Sequence, residues 1–375
     1  MLVNHPSAWL IRQVSAVLVA STLSLVLSLS APAHAQPDAA SLQALLDSEV
    51  RRQHLPGAVL SVRGPEIDLT LVSGVLNRRT GALVTPNSRF YIASTGKMMT
   101  AVAVLQLVDE GRIALDQTVA SVLVSAGALT RLPNWRSVRV EQLLNHTSGM
   151  PDYFDDNYQE AAVKDRRLLA DVEHALSDLM GEQPNAKPGA VYEYSNTNYA
   201  LLGLILERVD NADLATVLER RIFAPADMTG TSVGADPGES TVASAHGTRG
   251  RPSANDNLIA YESRLGDGPV TTTGPDLGRF FAALLREEKL LKPATLQRML
   301  RSSPREPKYG LGIEIDSTDW GPCYGHSGSV TGFNAEAWFY SARQTSIIFL
   351  TNGEYRTDDF EIVSKVADVL FKVTR

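Results

Sequence analysis

Three short segments of the chain carry side chains that could perform nucleophilic chemistry. The first is Ser94, followed three residues later by Lys97. If Ser94 opens a helix, Lys97 lies one turn on and on the same face. A serine hydroxyl is a weak nucleophile that needs a base, and an amine whose pKa is lowered by burial can serve as one. The spacing indicates a Ser-Lys pair, although an ordinary helix N-cap with a solvated lysine has the same pattern.

The second segment is Tyr194-Ser195-Asn196, which follows Pro188-Gly189 and precedes a helical pattern. The phenol of Tyr194 could lose or relay a proton if a neighbouring cation lowers its pKa. The amide of Asn196 could bind the amide of a substrate. The alternative is a turn in which the asparagine adopts a permissive backbone conformation.

The third segment is His326-Ser327-Gly328, in a glycine-rich stretch that leads into strand-like sequence. His326 could carry a proton near neutral pH, and a strand edge there could pair with a peptide-like substrate. A structural histidine in a turn is the alternative. His146 is a rival catalytic histidine, which we interpret as structural because its loop is rich in capping residues.

Hydrophobic periodicity predicts the elements that must position these segments. Helical spacing occurs at 39–54, from 94 to a C-cap at Gly111, and at 166–180, 199–209, 276–285, 294–300 and 360–373. Strand patterns occur at 58–63, 68–75, 310–315, 332–340 and 345–351, and residues 229–257 have an irregular composition. Strands at both ends with helices between them predict an α/β (α+β) fold. One antiparallel sheet is formed by the two terminal parts and flanked by helices, with an inserted, mainly helical region.

The N-terminus has the pattern of a secretory signal peptide. Residues 14–30 carry no charge, and Ala33-His34-Ala35 provides a small-x-small site, which predicts cleavage after Ala35. The run is short for a membrane span, so an uncleaved anchor is the less favoured alternative. With Cys323 as the only cysteine, no internal disulfide can form, which suits a bacterial envelope protein. We therefore expect residues 36–375 to be periplasmic or secreted, without a stable membrane span.

Composition excludes several classes of protein. With 35 Lys plus Arg against 42 Asp plus Glu, the chain has a formal net charge of −7 and no basic runs, which predicts no nucleic-acid binding. Hydrophobic residues make up 44% and charged residues 21%, as in globular proteins. No Cys-x-x-Cys or His-Glu-x-x-His motif is present, so we expect neither a metal nor a cofactor.

Taken in this order, the three motifs resemble those of the penicillin-recognising serine hydrolases, in particular the class C β-lactamase and D-alanyl-D-alanine carboxypeptidase group. The segments 143–153, 188–203 and 309–312 are also similar to that family, so the resemblance spans about residues 40–375. It implies the β-lactamase/transpeptidase-like fold. The sheet lobe would comprise about 36–95 and 265–375, and the helical lobe about 96–264.

The resemblance also implies a role for each motif residue. Ser94 would be the acylated nucleophile, Lys97 and Tyr194 the general-base pair, and Asn196 a contact to the substrate amide. His326 would hold the electrostatic position opposite Tyr194, and Ser327 and Gly328 would complete the third motif. The backbone N–H groups of Ser94 and Ser329 would form the oxyanion hole.

Two departures from the family pattern bear on the substrate. The β-lactamases of this group usually carry Lys where this chain has His326, which resembles the carboxypeptidase, D-aminopeptidase and esterase branches instead. The segment Asp267-Gly268-Pro269 departs from the usual Gly-Gly pattern. We expect a D-alanyl-D-alanine carboxypeptidase or related D-peptidase acting on cell-wall peptides. The alternatives are an esterase or amidase acting on small esters, a β-lactamase, and a non-catalytic envelope-binding protein. The sequence leaves the oligomeric state open.

Overall fold

The computed structural model describes residues 39–247, 257–355 and 361–372. Residues 36–375 form one compact unit, and the predicted signal peptide, residues 1–35, lies outside the described residues. Within the described ranges, no helix combines the length and the apolar character that crossing a bilayer requires.

A seven-stranded antiparallel sheet combines strands from the N-terminal and C-terminal parts of the described chain. Its strand order is β3-β2-β1-β10-β9-β8-β7. The strands are β1 (Gly57–Arg63), β2 (Asp68–Asn77), β3 (Ala82–Leu83), β7 (Glu314–Thr318), β8 (Gly321–Val330), β9 (Phe333–Tyr340) and β10 (Thr345–Thr351). The N-terminal strands meet the C-terminal strands where β1 pairs with β10.

Both faces of this sheet are covered, because successive side chains of a strand point to opposite sides. Leu60 and its partner Phe349 face a cluster formed with two helices, α1 (Ala39–Gln53) and α12 (Ile362–Lys372). Val59 and its partner Leu350 face the main core, which continues into the helical part of the chain.

The remaining helices lie between β3 and β7 along the chain. They are α2 (Lys97–Asp109), α3 (Val119–Val122), α4 (Val140–Leu144), α5 (Asp156–Lys164), α6 (Val172–Ala175), α7 (Asn196–Asp210), α8 (Leu214–Leu218), α9 (Leu258–Glu262), α10 (Gly274–Phe281) and α11 (Pro293–Met299). Helix α2 is buried on almost all sides and ends at Asp109, and Gly111, just after the C-cap Glu110, has a positive φ of 71° that suits the end of a helix. It passes through the centre of the main core and carries Lys97 at its first turn.

A smaller sheet of three strands lies beside the start of α2. Its order is β4-β6-β5, and the strands are β4 (Phe90–Tyr91), β5 (Ser232–Val233) and β6 (Val270–Thr272). The Ile92 N–H donates to the Val270 carbonyl, which ties the segment before Ser94 to β6.

The fold class expected from the sequence is confirmed, but several elements differ from the predictions. The prediction of a single helix over 166–180 is wrong. Asp165 and Asp171 each cap the N-terminus of a separate short helix, so the segment is divided into several short helical turns. The strand predicted at 310–315 begins only at Glu314, after Gly312 with its φ of 79°. Strand β8 was missed because its glycines hide the strand pattern. Within the irregular stretch, residues 248–256 lie outside the described part. The lobe boundaries near 95 and 265 remain a prediction.

Candidate active site

Ser94 lies in a tight turn that two other segments hold in place. It belongs to a 3₁₀ turn, Ala93–Gly96, so the α-helix predicted to begin at Ser94 begins at Lys97 instead. Ala93 has a φ of 46°, an uncommon conformation for a residue other than glycine. A Cβ on Gly268 would lie 2.4 Å from the Ala93 carbonyl oxygen, and one on Gly328 would lie 2.2 Å from that of Ile92. Only glycine permits this close approach on either side of the turn.

Lys97 is fully buried, and its Nζ atom contacts Ser94 at the centre of the site. The Nζ atom lies 3.1 Å from Ser94 Oγ, 2.7 Å from Asn196 Oδ1 and 2.6 Å from the Asp267 carbonyl oxygen. Burial lowers the pKa of Lys97 to about 8, although nearby carboxylates, Asp267 foremost, oppose the shift. A neutral amine donates two hydrogen bonds, which the two carbonyl oxygens can accept. Its lone pair then faces the Ser94 hydroxyl.

Asn196 is oriented by Asp152, a residue that the motif analysis did not select. The Asn196 backbone N–H donates to Asp152 Oδ1, and Asn196 Nδ2 donates to Asp152 Oδ2, both at 2.9 Å. These bonds turn the amide oxygen of Asn196 toward Lys97. These bonds use one hydrogen of the Asn196 amide nitrogen and one acceptor position of its oxygen, and the contact from Asn196 to a substrate amide stays a prediction. Asp152 stands in the family-like segment 143–153, which was the only available signal for it.

The Tyr194 phenol is close to both members of the Ser-Lys pair. Lys97 Nζ lies 5.1 Å from the centroid of the Tyr194 ring, and Ser94 forms a hydrogen bond with the Tyr194 hydroxyl. Burial raises the pKa of Tyr194 above its ordinary value of 10, and the bond to Ser94 offsets only part of that rise. The lowered pKa on which proton loss by Tyr194 would depend is not found, because loss of solvent and the nearby carboxylates outweigh the effect of Ser94. Tyr194 therefore remains a protonated phenol at neutral pH.

His146 packs behind Tyr194 and supports its ring. The two rings are stacked, with centroids 4.2 Å apart and an interplanar angle of 26°. His146 Nδ1 accepts hydrogen bonds from the Ser195 N–H at 3.1 Å and, with that tautomer, from Asn198 Nδ2 at 3.2 Å. Burial lowers the pKa of His146 well below 6.5, so the ring is neutral. These contacts agree with the structural interpretation of His146.

His326 lies on β8 and is buried among hydrogen-bonding groups. Its Nδ1 atom lies 2.5 Å from the Ser327 carbonyl oxygen and 3.3 Å from Glu314 Oε1, and its Nε2 atom lies 3.1 Å from the Tyr309 hydroxyl. Burial lowers the pKa of His326 below 6.5, while Glu314 partly opposes the shift. Its ring centroid is 6.3 Å from that of Tyr194. His326 faces Tyr194 as expected, but as a neutral imidazole at neutral pH.

Glu314, on the neighbouring strand β7, lies against the third motif. Its carboxylate accepts hydrogen bonds from the Ser327 N–H at 3.3 Å and from Ser327 Oγ at 3.2 Å. The next residues along β8 continue the wall of the site: Gly328 packs on the Ser94 turn, and Ser329 Oγ accepts a hydrogen bond from Asn334 Nδ2 at 3.0 Å. No motif or spacing indicated that Glu314, which lies outside the third motif, would contact it.

Two cavities meet at the nucleophile, and Ser94, Tyr194 and Ser329 line both. The larger, of about 590 Å³, extends along β7, β8 and β9 and contains Glu314, His326 and Ser327. The smaller, of about 230 Å³, contains Asn196 and Asp267 and has an aromatic wall. A third cavity of about 900 Å³ is lined by residues between Val122 and Arg208 and contains none of the motif residues. No group of three or more potential metal ligands was found among the residues that the structure describes.

Comparison with known proteins identifies related chains. The family model described as Beta-lactamase matches residues 42–370. Penicillin-binding protein 4* of Bacillus subtilis (strain 168) is 27% identical over 354 residues, covering 88% of this chain and 75% of that protein. Protein flp of Staphylococcus aureus (strain NCTC 8325 / PS 47) is 30% identical over 192 residues, which cover 51% of this chain and only 37% of that protein.

Solved structures show the same fold. A D-stereospecific amidohydrolase from Streptomyces sp. superposes with a TM-score of 0.74 at 28% identity, covering 90% of this chain and 100% of that chain.

Proposed function

The chain belongs to the Beta-lactamase family of penicillin-recognising serine hydrolases, and we propose that it hydrolyses its substrate through an acyl-enzyme on Ser94. One observation carries this proposal. Ser94 Oγ lies 3.1 Å from the Nζ atom of a buried lysine whose pKa is lowered to about 8. Such an amine is unprotonated often enough near neutral pH to act as a base, which an exposed lysine is not.

The acylation step follows from these contacts. Ser94 Oγ forms a bond to the substrate carbonyl carbon while its proton passes to Lys97 Nζ. The resulting oxyanion would be held by the backbone N–H groups of Ser94 and Ser329, which lie at the junction of the two cavities. One such donor is typically worth about 10²–10³ in kcat. Collapse of the intermediate breaks the bond to the leaving group, and water then hydrolyses the ester to release the acid and free Ser94.

Tyr194 is assigned the proton transfer to the leaving group. A phenol with a raised pKa keeps its proton at neutral pH, and its hydroxyl is hydrogen-bonded to Ser94. It can therefore give this proton to the departing nitrogen or oxygen. In deacylation the phenolate takes a proton from the attacking water, and Lys97 returns its proton to Ser94 Oγ as the ester bond breaks. Lys97 and Tyr194 then act as base and acid, which divides the roles of the general-base pair that the resemblance implied.

Glu314 favours one branch of the family over the others. A carboxypeptidase substrate and a penicillin both present a carboxylate near the scissile bond. In this chain the Ser327 hydroxyl donates to the Glu314 carboxylate, and His326 is neutral at pH 7. If the leaving group binds beside these residues, it meets a negative charge and no permanent positive charge. Like charges placed together are unfavourable. We therefore favour an amidase or esterase whose substrate lacks that carboxylate over the D-alanyl-D-alanine carboxypeptidase expected from the motifs.

The relatives support both branches. The Streptomyces amidohydrolase, by its description, is D-stereospecific, which supports an amide of a D-amino acid as substrate. The similarity to penicillin-binding protein 4*, which by its name binds penicillin, supports recognition of a β-lactam. We further propose that the protein is exported after cleavage following Ala35, and N-terminal sequencing of the secreted chain would test this.

The deciding experiment compares four substrates side by side: a D-amino acid amide, a short-chain p-nitrophenyl ester, a D-Ala-D-Ala peptide and nitrocefin. Wild type should turn over the amide and the ester faster than the other two, and Ser94→Ala should turn over none. D-Ala release as the fastest reaction would restore the carboxypeptidase assignment. Binding of fluorescent penicillin that Ser94→Ala leaves unchanged, with no turnover of any substrate, would indicate a non-catalytic binding protein.

A further inference from the structure

Asp267 brings an acidic side chain to the smaller cavity beside the nucleophile. It lies between α9 and β6, in the segment that departs from the family pattern. Its backbone carbonyl accepts a hydrogen bond from Lys97, while its half-buried side chain lines the cavity with Ser94. The proposed mechanism uses only the backbone of this residue, so its carboxyl group has no assigned task.

The carboxylate of Asp267 has few partners. Oδ2 accepts a hydrogen bond from the Tyr153 hydroxyl at 2.8 Å, and the backbone N–H of Asp267 itself supplies another. Within the described part of the chain, no basic side chain forms an ion pair with Asp267, since Lys97 bonds to its carbonyl oxygen instead. A carboxylate has about four acceptor positions. Acceptor capacity therefore remains on the side of the cavity.

The wall around this carboxylate is aromatic. Tyr91, Tyr153, Phe154 and Tyr158 line the cavity, and the rings of Tyr153 and Tyr158 meet edge to face with centroids 4.7 Å apart. The charge of Asp267 contributes to raised pKa values of all three tyrosines, which places the phenols near it. Aromatic faces attract cations, and a carboxylate among them adds an ion pair and hydrogen bonds.

We propose that this cavity binds a primary ammonium group on the acyl part of the substrate, with Asp267 as the specificity-determining residue. The inference rests on the proposed acyl-enzyme function and names its substrate class: amides, esters or peptides of an amino acid whose amino group is free. The acyl part is assigned here because the proposed function places the leaving group in the larger cavity, beside Ser327 and Glu314. At about 230 Å³, the smaller cavity suits a small acyl group better than a drug-sized ligand.

The test compares substrates that differ only in the amine. We would measure kcat/KM for D-alanine p-nitroanilide, its N-acetyl derivative and propionyl p-nitroanilide. Wild type should favour the free amine over both others by at least about tenfold, the range of a hydrogen bond to a charged group. Asp267→Asn should lower kcat/KM for the free amine by about 10–100-fold while changing that for propionyl p-nitroanilide by less than about threefold.

Two variants distinguish a role of Asp267 in recognising the substrate amine from a role in stabilising the fold. Asp68→Asn removes the same charge at the start of β2, outside both cavities, and should leave the preference unchanged. Tyr153→Phe removes the hydrogen bond to Asp267 and keeps the carboxylate, so the preference for the amine should persist. Equal losses on all three substrates in Asp267→Asn, or loss of the preference in Tyr153→Phe, would overturn the proposal in favour of a structural role.

A binding measurement on wild type keeps the proposal testable if Asp267→Asn does not fold. D-Alaninamide should compete with propionyl p-nitrophenyl ester at a concentration at least about tenfold lower than propionamide. Equal inhibition by the two would contradict the proposal. Release of p-nitrophenol from the ester by wild type but not by Ser94→Ala reports acylation of Ser94 independently. No release that depends on Ser94 would reject the proposed function, whereas such release without amine preference rejects only this inference.

Discussion

Asp152 holds Asn196 by two hydrogen bonds, one to its backbone N–H and one to its side-chain amide, both 2.9 Å long. The paired bonds fix which end of the amide faces Lys97. The amide oxygen then accepts from Nζ at 2.7 Å, and this contact helps direct the lone pair of a neutral lysine toward Ser94. Asp152 therefore acts on the base through Asn196, as a positioning residue.

We predict that Asp152→Ala lowers kcat by about 10–100-fold and changes KM little, because it misorients the base and removes no substrate contact. Asp152→Asn should retain more activity, since one amide oxygen can still accept a bond. Steady-state kinetics on an uncharged ester would measure both. A large rise in KM with unchanged kcat would instead indicate that Asp152 binds substrate.

The pH dependence of acylation should follow the protonation of Lys97. Its pKa in the folded protein is about 8, so the reactive neutral amine is the minor form below that pH. We expect kcat/KM to rise by about tenfold per pH unit below pH 8 and to level off above it. A pH profile with a non-ionising ester would show this. Lys97→Arg, which stays protonated, should be inactive at every pH. An inflection below pH 7 would contradict the assignment of Lys97 as the base.

Removal of the Glu314 charge should improve the use of carboxylate substrates. Glu314→Gln keeps an acceptor for Ser327 and removes the repulsion, so kcat/KM for a D-Ala-D-Ala peptide should rise by about tenfold relative to its C-terminal amide. Competition between the peptide and its amide in one assay gives this ratio directly. An unchanged ratio would show that the leaving-group carboxylate lies elsewhere.

Residue 326 offers a second test of the leaving-group side. His326→Lys in the Glu314→Gln background supplies a fixed positive charge opposite Tyr194. We expect penicillin turnover to rise and cleavage of the D-amino acid amide to fall, because an ammonium holds a carboxylate at any physiological pH. Nitrocefin hydrolysis and amide release would be measured on the same preparation. If neither rate changes, residue 326 does not set specificity.

Gly328 should tolerate no side chain. A Cβ at this position would lie 2.2 Å from the Ile92 carbonyl oxygen and 2.8 Å from Thr95 Oγ1, so Gly328→Ala must displace the Ser94 turn. A displacement of about 1 Å can cost about 10²-fold in rate. We expect a loss of that size in kcat/KM together with a lower Tm. Wild-type values of both would contradict the close packing of β8 on this turn.

Contacts between residues close in the sequence were the ones that could be predicted. Ser94 and Lys97 are three residues apart, and helical geometry brings such residues together in almost any helix. The two strands that join the halves of the sheet, β1 and β10, were also predictable, since the strand patterns at 58–63 and 345–351 are regular. The third motif was recognised, but its strand was not, because the glycines that let β8 approach Ser94 also weaken the strand pattern.

The sequence by itself determined the family, the fold class and the motif side chains, because residue types and short spacings define them. The tertiary structure decided how these side chains are tuned. Asp152 reaches Asn196 across 44 positions, and Tyr153 reaches Asp267 across 114. Contacts between residues so far apart in the chain produce no periodic pattern in the sequence. Burial acts in the same non-local way: it lowers the pKa of Lys97 and raises that of Tyr194, because the surrounding fold, not the neighbouring residues, removes water from both.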